Sequence, residues 1–205
     1  MPNSLTPDER ERIATAIEAA ETGTSGEIYV VVAGQADDHH LVPVLWAALL
    51  ALFIPWPLHF FTALSITTIL IIQGVSFLLS ASVLAHPSLR AATVPASIAC
   101  DAARKAAHAQ FFAHGVHLTR ERTGVLIYVA LAERCVQVVA DDLIDAKVNQ
   151  TDWKELTQHI IAAAKRDHLA EGLVQAIEGA GRLLSQHFPR KADDENELPN
   201  RVVEI

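Results

Sequence analysis

The sequence predicts an α/β domain interrupted by a transmembrane helical hairpin, and three observations carry that prediction. Between Asp38 and Arg90 the chain runs 51 residues without an Asp, Glu, Lys or Arg. At about 1.5 Å rise per residue such a run could reach roughly 75 Å as helix, against a hydrocarbon core of about 30 Å, so one crossing does not use it up. A β-branched run stands just before it and two more follow it. Segments with apolar residues at helical spacing occupy both flanks, so one fold unit has parts on either side of the apolar run.

The first element is a helix with its own start signal. Thr6 stands as N-cap, Pro7 at the first helical position and Glu9 where a capping box needs it. Ile13, Ile17 and Ala20 repeat at helical spacing, and Gly23 is a plausible stop. Residues 27–34, Glu27-Ile28-Tyr29-Val30-Val31-Val32-Ala33-Gly34, are β-branched and almost continuously apolar. A strand of that kind requires cover on both faces, and the first 38 residues cannot supply it. Its partners are expected beyond the hairpin.

Inside the apolar run, Pro55, Trp56 and Pro57 predict the turn, because proline removes a backbone donor and clashes with the preceding helical turn. The first helix is expected over 41–54, reaching as far as 58, and the second over 60–84. Trp46, Trp56 and His59 are amphipathic groups suited to headgroup level, and His39, His40 and His86 mark the ends of the hairpin. The competing reading is a hairpin buried at the centre of a soluble core, for which 205 residues supply too little other apolar surface. The lipid bilayer is therefore the first expected partner. Gln73 beside Gly74 can hydrogen-bond across helices, and Ala47/Ala51 with Ser76/Ser80 offer small-residue faces, which suggests a homo-oligomer through the hairpin. No acidic residue lies inside it, which argues against an ion pathway.

A hairpin returns the chain to the side it left. The turn has no Lys or Arg while Arg90, Arg104 and Lys105 follow the second helix, so the expectation is the inner membrane with both termini cytoplasmic. Cys100 and Cys135, the two cysteines, fit free thiols in a reducing compartment. The first 21 residues show no apolar core of a secretory signal.

Past the hairpin, residues 97–114 read as a helix with Ala103, Ala107, Phe111 and Phe112 on one side, ending at Gly115. Residues 124–131 and 135–140 are β-rich and joined at Ala132, Glu133 and Arg134, a hairpin candidate. Asp152 is expected to cap a helix in which Leu156, Ile160 and Ala163 repeat. A last helix over 170–187 places Leu173, Ile177, Ala180 and Leu184 on one stripe, with Gly179 and Gly181 allowing close approach. Four segments result: 1–38 as the first part of the domain, 39–89 as the hairpin, 90–188 as the second part, and 189–205 as a loosely ordered acidic tail with five acids and three bases.

Net charge is −8, with eight acids and two bases in residues 1–38 and sixteen acids and fourteen bases in 90–205. No basic surface for nucleic acid is present. Enzymatic signals are few. There is no P-loop, and neither cysteine has an arginine six positions on, since Ala106 and Asp141 stand there. The candidate site is acidic: Asp141, Asp142 and Asp145 directly after a strand, with Glu27 as a neighbour, could supply oxygen ligands to Ca²⁺ or Mg²⁺. The alternative is that Asp141 or Asp142 caps the next turn while the others are solvated. His114 and His117 straddle Gly115 without a zinc-ligand frame.

The string Thr24-Ser25-Gly26-Glu27-Ile28-Tyr29-Val30, followed by Arg122-Thr123-Gly124-Val125-Leu126-Ile127-Tyr128-Val129, resembles the TPM domain family, most closely its small membrane-bound bacterial branch, in which a two-helix insert interrupts the domain. Val138-Val139-Ala140-Asp141, Trp153 with its helix, Gly172-Leu173-Val174-Gln175-Ala176-Ile177 and Asn196-Glu197-Leu198-Pro199 extend the resemblance over nearly the whole chain. It implies a TPM-like three-layer domain: a small mixed sheet of about four strands flanked by helices, often with a divalent metal site lined by acids. Some chloroplast relatives are described as acid phosphatases, and others serve in photosystem maintenance or as auxiliary membrane proteins. Where larger members have a glycine-rich turn, this chain has Ala140-Asp141-Asp142-Leu143.

Three functions stand open on these grounds. The preferred one is a membrane-tethered, non-catalytic interaction or auxiliary module with a protein partner. The second is a divalent-metal-dependent phosphatase using Asp141 and neighbouring acids such as Glu27. The third, a small transport component, is disfavoured by the absence of ionisable groups in the hairpin.

Overall fold

The computed structural model of the protein describes residues 5–39, 41–86, 89 and 93–205. The chain forms two compact units, one of Met1–Ala36 with Ala99–Ile205 and the other of Asp37–Ile98. His40 and Arg90 lie outside the described residues.

Helix α1 (Pro7–Glu21) begins as its sequence dictates. The Thr6 hydroxyl accepts the Glu9 N–H at 3.3 Å, and the Glu9 carboxylate accepts the Thr6 N–H at 2.7 Å. Two orphan donors of the first turn are thereby satisfied. Ile13 and Ile17 are fully buried. Strand β1 (Glu27–Ala33) follows and is buried at every residue, as its unbroken apolar run requires.

The hairpin departs from expectation at its turn. Helix α2 (Leu41–Phe53) is followed by α3 (Pro55–Phe61), and Ile54 between them keeps helical geometry at φ −57, ψ −43. Pro55 opens a new helical segment and Pro57 lies in the same first turn, where N–H groups have no intrahelical partner and their absence leaves no ladder bond unmade, so the prolines interrupt the apolar stretch without reversing it. The apolar stretch continues over 21 residues to Phe61. Reversal comes in the four residues that follow, 62–65. Thr62 is extended at φ −133, ψ 156, and Ser65 caps α4 (Ile66–Leu84) by accepting the Thr68 N–H at 3.2 Å. The second apolar helix is thus 19 residues, shorter than the expected 60–84.

Within this unit α2 packs on α4. Ala47 and Ala51 are buried there, as is Ile69, so the small-residue face is used inside the hairpin, where it lets the helices approach. Ser80 turns its hydroxyl back to the carbonyls of Ser76 and Phe77. The Trp46 indole N–H donates to the Thr93 carbonyl at 3.2 Å. Otherwise the helices are bare: 17% of the first apolar window and 6% of the second are buried, and they are not the centre of a soluble core.

Helix α5 (Ala96–Ala113) buries Ala99, Ala103, Ala107 and Phe111. Phe112, expected on the same side, is 59% exposed, because successive helical residues point about 100° apart and only one ring of the pair can face the sheet. Gly115 at φ +69 ends the helix in the left-handed region that favours glycine. A 3-10 turn (Val116–Leu118) leads to β2 (Gly124–Ala130), which forms an antiparallel hairpin with β3 (Cys135–Ala140). A short helix α6 (Asp142–Asp145) precedes α7 (Gln150–Ala164), whose N-cap is Asn149; Asp152 sits within its first turn instead, where a carboxylate still meets the helix dipole favourably. Helix α8 (Leu169–His187) follows, and β4 (Val202–Glu204) closes the chain.

The sheet order is β3-β2-β1-β4, with β1 parallel to both neighbours and β2 antiparallel to β3. One face (Ile28, Val30, Val32, Ile127, Val129) packs against Ile17, Ile160, Leu173, Ile177 and Leu184. Each such fully buried side chain contributes about 1.5–3 kcal/mol. Gly181 permits close contact of α8 with α1, since a Cβ there would lie 2.7 Å from that of Ala20. The other face (Tyr29, Val31, Leu126, Tyr128) is covered by α5, giving three layers.

Two further expectations are corrected. The acidic tail is ordered by the sheet: β4 adds to the open edge of β1, the Ile205 N–H donates to the Val32 carbonyl at 3.1 Å, and Arg10 pairs with Glu204 at 2.6 Å. An unpaired strand edge and a Val-Val segment satisfy one another. Cys100 and Cys135, expected as free thiols, form a disulfide with Cα atoms 5.6 Å apart. They lie 35 residues apart in sequence and meet because α5 crosses the face to which the first residue of β3 points.

Candidate functional site

At one end of the sheet, strands β1 and β2 begin and β3 ends. Glu27 lies opposite Gly124, and the Asp141 N–H donates to the Gly124 carbonyl at 3.0 Å, so the two expected site carboxylates flank the same glycine. They are not joined there. A Cβ on Gly124 would lie 2.7 Å from Cγ1 of Val116 and closer still to its carbonyl oxygen, so Val116 fills the strip above the glycine.

Glu27 is 5% exposed, and its two oxygens accept the N–H groups of Glu197 and Leu198, each at 3.3 Å. Burial pushes its carboxyl above the usual range; the two N–H bonds pull the other way, and the nearby charges of Glu197 and Asp194 push up again. Glu21, the last residue of α1, accepts the Ile28 N–H at 2.8 Å. Burial, opposed by that bond and aided by Glu27, raises its pKa to about 8. The rest of the Thr24-Ser25-Gly26-Glu27 string also holds the chain end. The Thr24 hydroxyl donates to the Phe188 carbonyl at 2.6 Å, the Ser25 hydroxyl accepts the Lys191 N–H at 3.2 Å, and Gly26 lies against Leu184. A cavity of about 160 Å³ opens beside Glu27, with Arg120, Thr123, Lys191, Asp194 and Glu197 in its wall.

Asp141 is buried. One oxygen accepts from Arg122 Nε at 3.1 Å and from the Asp142 N–H at 2.8 Å, capping α6; the other has no hydrogen-bond partner. Asp142, 95% exposed in its side chain, sits 3.7 Å from Arg122. Asp145 is exposed, its carboxyl raised by partial burial and then by Asp142. Among the described residues no three His, Cys, Asp or Glu side chains are grouped to hold a metal ion. Glu27 is engaged by N–H donors and one oxygen of Asp141 by a guanidinium, and Asp141, Asp142, Asp145 and Glu27, expected as ligands of Ca²⁺ or Mg²⁺, are not brought into one group. His114 engages the Tyr29 hydroxyl at 3.2 Å, and His117 stacks edge-on with Phe112.

Sequence reasoning overlooked Glu21. A carboxylate in the last turn of a helix opposes the dipole, and that is the signal that could have marked it.

The TPM domain model matches residues 85–183. The NMR structure of the BA42 protein from the psychrophilic bacterium Bizionia argentinensis superposes with a TM-score of 0.62 at 23% identity, covering 100% of this chain and 98% of that one. At that identity the likeness speaks for the fold. No protein with a curated description matches the chain. What the comparisons show is a TPM domain match over residues 85–183, a little under half of the chain, on a mixed sheet flanked by helices whose fold the BA42 superposition shares.

Proposed function

We propose that this is an integral protein of the inner membrane, anchored by the α2–α4 hairpin, whose TPM domain serves as a non-catalytic interaction module. The observation that carries the reading is the exposure of two helices, 21 and 19 residues long, that are apolar enough to cross a bilayer and bury almost nothing of themselves. Water is an unfavourable neighbour for side chains such as Phe61 and Leu78, 87% and 65% exposed, and lipid is a favourable one. Since residues on both sides of the hairpin build one unit, both flanks share a compartment. The acids at the sheet end support the non-catalytic part: Glu27 holds the C-terminal segment and Asp141 caps a helix. For a protein partner, the domain offers Phe112 and Leu118, 59% and 72% exposed on either side of Gly115. Photo-crosslinking from position 112 in intact membranes, read by mass spectrometry, tests this. A defined crosslink that disappears in Leu118→Ser supports the module, and its absence counts against it.

The second reading, a phosphatase, is favoured by the unpartnered oxygen of buried Asp141 beside Arg122. Turnover of a generic phosphate ester that vanishes in Asp141→Asn, with the fold retained, would put it first.

A further inference from the structure

We infer that the TPM domain lies on the oxidising, extracytoplasmic side of the membrane, where the Cys100–Cys135 disulfide fastens α5 over the second face of the sheet. The inference rests on the hairpin anchor proposed above. The two faces of the sheet are held unequally. One is covered by large aliphatic side chains from α1, α7 and α8, the other by α5, whose buried residues are Ala99, Ala103 and Ala107 with Phe111 near the far end. An alanine brings one methyl group to a core, so the amino-terminal half of α5 gains little from burial. Phe111 and the Tyr29–His114 hydrogen bond secure the other half. The disulfide sits at the poorly held end and joins it to the edge strand β3. Closing a 35-residue separation restricts the unfolded chain, which is where a disulfide acts most.

Both cysteines of the sequence are used in this bond. Such a pair persists in oxidising compartments and is kept reduced by cytoplasmic thiols. The opposing charge signal is small once the second span is seen to end at Leu84: Arg104 and Lys105 lie about 20 positions further on, within α5 of the folded domain, at the limit where basic residues orient a hairpin. Arg90 is left as the near charge, and the sidedness expected from charge is reversed.

The bond forms by exchange with a protein disulfide oxidant of the extracytoplasmic space. One cysteine thiolate attacks the donor disulfide, and the second displaces the mixed disulfide. Two protons and two electrons leave the pair, and the donor departs as a dithiol.

The test uses the full chain in growing cells, acid-quenched and then treated with a mass-tagged maleimide with and without prior reduction. No tag before reduction and two after it are expected, together with activity of an alkaline phosphatase fused after Ile205, an enzyme that needs an oxidising compartment. Two tags without reduction, or an inactive fusion that is nonetheless expressed, would overturn the inference. Carbonate washing separates the premises: release of the chain overturns the anchor and the sidedness with it, whereas retention with reduced thiols overturns the sidedness alone. In membranes opened to protease, reductant should speed cleavage within α5 severalfold in the native chain and leave Cys100→Ala/Cys135→Ala unchanged; equal rates in the native chain with and without reductant would remove the fastening role.

Discussion

The carboxylate of Glu27, at the first position of the central strand, receives the backbone N–H groups of Glu197 and Leu198 from the far end of the chain, each at 3.3 Å. Two strings that looked independent in the sequence, Thr24-Ser25-Gly26-Glu27 and Asn196-Glu197-Leu198-Pro199, are the two halves of one closure. Glu27→Ala should cost about 1–3 kcal/mol in denaturant unfolding, because two partly buried donors lose their acceptor. Hydrogen exchange should quicken at the amides of 197 and 198, and Glu27→Gln, which keeps an acceptor, should do so less. Unchanged exchange in the alanine variant would show that the tail is held by β4 alone.

Stability should fall as pH rises. Glu21 has a folded-state pKa of about 8 against 4.5 when unfolded. Between those values the unfolded chain has released its proton while the folded one keeps it, so the folded state loses ground progressively from about pH 4.5 to 8 and no further beyond. Urea midpoints across that window test the sign. Glu21→Gln should flatten the slope, and a native chain more stable at pH 8 than at pH 5 would refute it.

Two glycines should answer substitution differently. Gly124→Ala drives a methyl into the backbone of Val116, which is fixed by the following turn and strand, and should cost about 3 kcal/mol. Gly179→Ala meets only the Cδ2 end of Leu156, which can rotate, while alanine gains about 1 kcal/mol of helix propensity, so the net change should be small. Thermal melts of the two variants give the comparison.

Charges on the exposed face of α4 discriminate lipid from water. Leu70→Asp with Leu78→Asp adds about 3 kcal/mol per residue to the transfer of that helix into a bilayer and nothing comparable in water. The double variant should leave the carbonate-resistant membrane fraction. Its retention there would count against α4 as a span.

Calorimetric titration of the detergent-solubilised protein with Ca²⁺ and with Mg²⁺ should give no saturable heat at micromolar concentrations, since Glu27 and one oxygen of Asp141 are engaged and the described acids are not grouped around one point. Saturable binding abolished by Asp141→Asn would show that those contacts yield to an ion.

Local chemistry settled much of this protein in advance. A threonine, a proline and a glutamate at fixed offsets start α1; an unbroken β-branched run makes β1 a strand covered on both faces; 51 uncharged residues make exposed apolar helices. These depend on steric and solvation rules acting within a few residues. The tertiary structure decided what depends on distant partners. It moved the hairpin turn from Pro55–Pro57 to residues 62–65, because proline is admissible in the first turn of a helix. It turned an acidic tail into an edge strand, because β1 had an open side. It bonded two cysteines 35 positions apart, and it gave Glu27 to the C-terminal segment and Asp141 to Arg122 and the start of α6. Composition records which groups are present, and only the fold determines which of them meet.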